Sequence, residues 1–287
     1  MTQNYCPIFH RTDDSSVLLN MEVFMTEPKC PVGISGSTLK LIAIVTMLID
    51  HIGATILRTI LNHPDLMERT FGRSLWIQIY FASRSLGRIA FPIFCFLIVE
   101  GFIHTRNVWK YAGRLFLFAL ISELPFDLAL KGDLYFPQKQ NVYFTLLIGL
   151  LVLIGISFCE QLPEQIAAKR TLPERKFFSF FTRLLSIFLA VLILFFGMEL
   201  AKWINTDYNY KGVFLIAVLY LLRHSRLFAC TAGAAAVAWE LPAPVSFLPI
   251  YLYNGTRGRQ MKYLFYWFYP VHLLILHMIA QYLIPLC

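Results

Sequence analysis

Apolar residues in this 287-residue chain recur in blocks about 20 residues long, and no other feature constrains its fold so tightly. Each helical residue advances ~1.5 Å, so such a block spans the ~30 Å hydrocarbon layer of a bilayer. Only 15% of the residues are charged, against about 25% in soluble domains. The expected fold is all-α: a polytopic transmembrane helical bundle of about eight spans. Residues 1–38, polar and broken by proline and glycine, read as an N-terminal tail with no cleaved signal peptide. Residues 39–287 read as one transmembrane domain.

The spans are expected near residues 39–61, 86–103, 111–130, 142–158, 184–204, 212–222 and 264–284, with 74–85 as an interfacial lead-in. Residues 227–253 are apolar but interrupted by Pro242, Pro244 and Pro249. They read as one kinked span or as two short pieces, which would make nine crossings. Lys and Arg sit mostly between blocks, where they orient a membrane protein, so the net charge of +8 is not read as nucleic-acid binding. With an inside N-terminus and eight spans, ten basic residues lie inside and nine outside. If 227–253 crosses twice, Arg257, Arg259 and Lys262 move inside and the split becomes thirteen to six. The charge rule therefore favours the broken segment.

Six scattered cysteines without a CxxC pair argue against a metal site or disulfide framework. No internal repeat of the transporter kind is present. The informative residues are ionisable groups inside apolar blocks, because each costs a few kcal/mol in lipid and normally faces a cavity. Asp50 and His51 lie near the centre of the first block. A carboxylate beside an imidazole can fix its tautomer and raise its basicity, as a general base requires, although an interhelical packing role also fits. Arg84/Arg88, Glu100/His104 and Glu123/Asp127 are each i,i+4 pairs on one helix face. Arg88 precedes a solidly apolar run and needs an acidic or phosphate partner, for which Glu123 and Asp127 are candidates. Arg106, Lys110 and Arg114 read either as lipid-facing topology signals or as a phosphate-binding mouth. The stretch Asn254-Gly255-Thr256-Arg257-Gly258-Arg259 is basic and flexible, without a phosphate-loop pattern. His272 and His277, five apart on one helix, read as packing or interfacial histidines.

Taken in order, several motifs form a recognisable series: Ile49-Asp50-His51-Ile52-Gly53, Gly87-Arg88 through Glu100-Gly101-Phe102, His104-Thr105-Arg106, Ser122-Glu123-Leu124-Pro125-Phe126-Asp127, Gln140-Asn141-Val142-Tyr143, Tyr253-Asn254-Gly255, Arg257-Gly258 and Phe268-Tyr269-Pro270-Val271-His272. This series resembles the TraX family of bacterial membrane proteins, over roughly residues 39–284. The family takes its name from a conjugation protein linked to N-terminal acetylation of pilin, and is similar to multi-span acyltransferases. The resemblance implies a multi-pass protein of the bacterial cytoplasmic membrane that moves an acetyl group from acetyl-CoA to an amine or hydroxyl. The acceptor would be a peptide amine, a sugar or a small molecule. In that frame Asp50, His51 and Arg88 would be catalytic, with His51 as general base or transient acetyl carrier. Glu100, His104, Glu123, Asp127, Asn141 and Asn254 would contact the acceptor. Arg106, Lys110, Arg114 and Arg257 would hold the CoA phosphates. Partners are the bilayer and the acceptor, with room for an oligomer and no metal. A transporter or flippase with the same buried charges along its path is the rival reading.

Overall fold

The computed structural model describes residues 33–65, 72–167, 172–259 and 262–283. Most of the expected N-terminal tail and the basic residues Arg69, Lys169 and Arg170 lie outside the described residues. Within them the fold is helical, and β pairing is limited to the isolated bridges Ile34–Tyr253 and Gln140–Thr206.

Helix α1 runs Gly36–Leu61, with a π-helical turn at Gly53–Leu57. Ser35 caps it by accepting from the Thr38 amide. The chain returns through α2 (Arg73–Gly87) and α3 (Ala90–His104), which follow one another as a single 32-residue apolar run broken only at Arg88 and Ile89. Residues 74–85, expected as a lead-in, are helical and run directly into α3. Then come α4 (Val108–Lys131), α5 (Val142–Ala167), α6 (Leu172–Trp203) and α7 (Asn209–Leu221). Helix α5 outruns its expected end, and α6 starts well before its expected beginning. The broken segment folds as α8 (Arg226–Ala236), a turn, a 3-10 stretch (Ala243–Ser246) and α9 (Phe247–Tyr251). Helix α10 (Lys262–Met278) closes the bundle and continues as a π turn at Ile279–Leu283.

Four of these runs are long and apolar enough to cross a membrane by length and composition: Gly36–Leu61, Arg73–His104, Val142–Ile166 and Ser179–Trp203. That is fewer than the eight expected. Helix α4 is 24 residues long but carries five ionisable residues, and α7 has 13 residues.

The two ends of the bundle are called here the Ser35 face and the Asn62 face. The loop after α9 is stitched to the start of α1: the Gly36 amide donates to the Thr256 carbonyl (2.8 Å) and the Ser37 amide to Arg257 (3.1 Å). Arg226, at the start of α8, lies over the Tyr253 ring (5.4 Å). The segment 226–253 therefore leaves and returns by the Ser35 face. It forms the two short arms that the prolines and the charge count favoured, with Arg257 and Arg259 on the same face as Arg106 and Arg223.

Two helix-interior prolines show how the bundle satisfies its backbone. Proline has no N–H, so the carbonyl four residues earlier loses its helical donor. Pro163 in α5 frees the Cys159 carbonyl, which accepts from the Ser186 hydroxyl on α6. Pro270 in α10 frees the Tyr266 carbonyl, which accepts from the Tyr143 hydroxyl on α5 (3.3 Å). In an apolar medium an orphaned carbonyl is costly, so each hydroxyl ties two helices together.

Two glycines set the approach of α1 to the α2–α3 run. A Cβ on Gly53 would overlap the Ser83 hydroxyl, and one on Gly87 would overlap the Asp50 carboxylate. Gly87→Ala should cost about 1–3 kcal/mol through overpacking. Chemical unfolding in detergent micelles, followed by circular dichroism, measures that loss.

Candidate functional site

Two cavities enter the bundle from opposite ends. The Asn62-face vestibule, of about 650 Å³, is lined by Asp50, His51, Arg58, Arg84, Arg88, Lys131, Lys139, Asp207, Lys211 and Glu240, among others. The Ser35-face mouth, of about 600 Å³, is lined by Lys40, Glu100, His104, Arg106, Arg114, Tyr143, Arg257 and Arg259, among others.

Charge pairing builds the vestibule. Arg84 donates to the Asp50 carboxylate at 2.6 Å and to the Asp50 carbonyl at 3.3 Å. Arg88, one turn further on, pairs with Glu240 at 2.6 Å. Lys139 pairs with Asp207 at 2.8 Å. The expected Arg88 partners, Glu123 and Asp127, are instead engaged where α4 meets the start of α5. Glu123 accepts from the Asn141 amide and side chain, and Asp127 from the Phe136 amide (2.8 Å). Asn141, fully buried, also donates to the Ala119 carbonyl (2.8 Å). Glu123, Asp127 and Asn141 line neither cavity. Their geometry is that of a joint between helices, not of an open acceptor site.

The adjacent residues Asp50 and His51 do not form the orienting pair expected. They project ~100° apart around α1, and the Asp50 side chain goes to Arg84. His51 instead meets His272 of α10, with its Nδ1 2.6 Å from the His272 Nε2. The tautomers follow by elimination. His272 Nδ1 lies 2.6 Å from the Phe268 carbonyl, which only accepts, so Nδ1 carries the proton. In the neutral ring, Nε2 of His272 then accepts, and His51 Nδ1 donates to it. That assignment leaves the His51 Nε2 lone pair unspent, as a general base requires. His51 is 8% exposed and His272 5%. The π turn of α1 begins two residues after His51, and Thr55 within it donates to the His51 carbonyl (2.6 Å). Such turns are frequent at functional sites.

One aromatic ring touches a lining residue of each cavity. Tyr269 meets His51 edge-on at 5.8 Å on the vestibule side and Tyr143 at 5.2 Å on the mouth side. The mouth itself gathers cations. Arg257 donates to the His104 carbonyl (3.0 Å), and Arg114 lies against the Tyr111 ring (5.8 Å) with its Nε buried and without a hydrogen-bond partner. Glu100 and His104 pair with one another at 3.7 Å along α3. Lys110 and Asn254 line neither cavity. The Lys110 amide is capped by Asn107, and Asn254 braces the loop by donating to the Gly33 carbonyl (3.1 Å) and accepting from Thr256 (2.7 Å).

Sequence reasoning missed Glu240 and His272. Glu240 was legible as the lone acid in 227–253. Spacing on one helix compares His272 only with His277, while its partner, His51, stands on α1.

The TraX protein family model matches residues 35–280. A curated relative, the "Probable fimbrial assembly protein FimC, serogroup H1" of Dichelobacter nodosus, is 31% identical over 255 residues, covering 84% of this chain and 94% of that one. No solved structure matches.

The Arg88–Glu240 pair joins the α2–α3 break to the α8–α9 turn. Arg88→Met and Glu240→Gln should each destabilise the protein by about 1–3 kcal/mol, by stranding the other charge. The double variant should lose less than the sum by about 1 kcal/mol. A double-mutant cycle on unfolding in micelles reads that coupling.

Proposed function

Because this chain belongs to the TraX family, we propose that it is an acetyltransferase of the bacterial cytoplasmic membrane. It would move an acetyl group from acetyl-CoA at the Ser35-face mouth to an amine or hydroxyl acceptor in the Asn62-face vestibule. The observation that carries this reading is His51, lining one of two opposed cavities with a nitrogen unspent, joined through the Tyr269 ring to Tyr143 of the other. The bundle would make about eight membrane passes, counted as seven full crossings and the α8–α9 hairpin. The Ser35 face would be cytoplasmic, since the connections carrying Arg106, Arg223, Arg226, Arg257 and Arg259 lie on it.

The mouth suits a phosphate-bearing donor. Arg106, Arg257 and Arg259 stand at its rim, and the buried Nε of Arg114 lacks a partner there. Acetyl-CoA would supply an acetyl group activated as a thioester. In the step itself, His51 Nε2 takes the proton of the acceptor O–H or N–H as that atom bonds to the acetyl carbonyl carbon. The carbon–sulfur bond breaks, and His51 returns the proton to the departing thiolate. His272, held by the Phe268 carbonyl, positions His51. Arg84 and Arg88 line the same cavity and supply N–H donors toward the carbonyl oxygen. Asp50 contributes a buried oxygen that has no hydrogen-bond partner and can accept from the acceptor.

The relative's name ties it to fimbrial assembly, which makes a surface-filament subunit one acceptor to try first. A flippase would also have cavities on both faces, but it would have no use for the fixed His51 tautomer.

Labelled acetyl transfer in proteoliposomes tests the proposal. His51→Ala should lower turnover about 10²–10⁴-fold, and unchanged turnover in the folded variant would remove His51 from the chemistry. His272→Phe removes the acceptor for His51 Nδ1 and should lower kcat with little change in the KM for acetyl-CoA. His272→Gln keeps an acceptor oxygen and should recover part of the loss.

A further inference from the structure

We infer that the acceptor carries an oxyanion, a phosphate or carboxylate, bound in the vestibule by Arg58, Lys131 and Lys211. The inference rests on the vestibule being the acceptor site proposed above and adds the acceptor's chemical class. All three acids lining that cavity are already matched to a cation: Asp50 to Arg84, Glu240 to Arg88 and Asp207 to Lys139. Three further lining cations remain, and no ion pair among the described residues holds them. Arg58 donates only to the Leu130 carbonyl (3.4 Å), at the C-terminal end of α4. Lys131, the next residue, lies over the Phe136 ring (5.2 Å) and in the fields of Lys139, Asp207, Arg58 and Asp127, without an ion pair to either acid. Lys211 sits over the Trp239 ring at 3.5 Å. A cavity with six lining cations and three lining acids repels an ammonium group and attracts an anion. Guanidinium and ammonium groups facing a shared space are the donors that oxyanions take.

The geometry also assigns how such an acceptor sits. Its anion engages the Arg58/Lys131/Lys211 side of the vestibule, while its hydroxyl or amine reaches His51 and the free oxygen of Asp50.

Trp239 gives a local readout independent of acetyl transfer. In a full-length variant with Trp76, Trp109, Trp203 and Trp267 replaced by Phe, Trp239 is the only tryptophan. Titration with inorganic phosphate, in phosphatidylcholine nanodiscs, should change its fluorescence saturably. Glycerol phosphate in the same discs tests a soluble organic phosphate, and discs of phosphatidylglycerol test a lipid headgroup as the source. Removing Arg58 and Lys131 together (R58Q/K131Q) should weaken phosphate binding at least about tenfold. R106Q/R257Q, at the opposite mouth, should leave the Trp239 signal unchanged. The inference is overturned by an absent signal, by equal binding to R58Q/K131Q, or by choline binding as well as phosphate. Acetyl transfer without any phosphate response sinks this inference alone. A phosphate response without acetyl transfer sinks the acetyltransferase reading and leaves the anion site standing.

Discussion

Two arginines one helical turn apart, Arg84 and Arg88, hold the site together. Each sits where an isolated charge would be costly, and each is matched by an acid from a different part of the chain: Asp50 from α1 and Glu240 from the turn after α8. These pairs decide where the α2–α3 run sits against the first helix and how deep the α8–α9 hairpin reaches. The lone glycines at Gly53 and Gly87 are the steric counterpart of those pairs, because the charges meet only if the helices come within touching distance. Such half-buried ion pairs contribute little net stability compared with apolar packing. What they contribute here is register: in the observed alignment of α1, α2 and the hairpin both arginines are matched.

A second principle runs through the rest of the bundle. Backbone groups set free by proline are taken up by hydroxyls on neighbouring helices, Ser186 at Cys159 and Tyr143 at Tyr266. The second of these also borders a cavity. Tyr143 lines the mouth and touches Tyr269, so the residue that repairs the α10 backbone also links the mouth to the ring beside His51.

Much of the architecture was legible in the apolar blocks, because block length maps directly onto helix length. The doubled path of 227–253 was legible in three prolines and in the charge distribution. Asp50, His51 and Arg88 stood out for one physical reason: charge inside an apolar run needs a purpose. Their partners were not legible, because pairing across a bundle depends on which helix faces which, and sequence spacing reports only on one helix at a time. Asp50 and His51 are neighbours in the chain and for that reason cannot point the same way. Glu123 and Asp127 looked like available partners for Arg88, yet Asn141 and the Phe136 amide had a nearer claim on them.

The contact between His51 and His272 joins residues 221 positions apart, and the stitch between Ile34 and the loop at Tyr253 is almost as distant. During synthesis, therefore, the first helix leaves the ribosome with its histidine unoriented and its amino end unanchored. Most of the helices can be in place while the centre still lacks one of its two imidazoles. The paired-imidazole centre exists only once α10 arrives, so a chain cut short before it lacks that contact altogether.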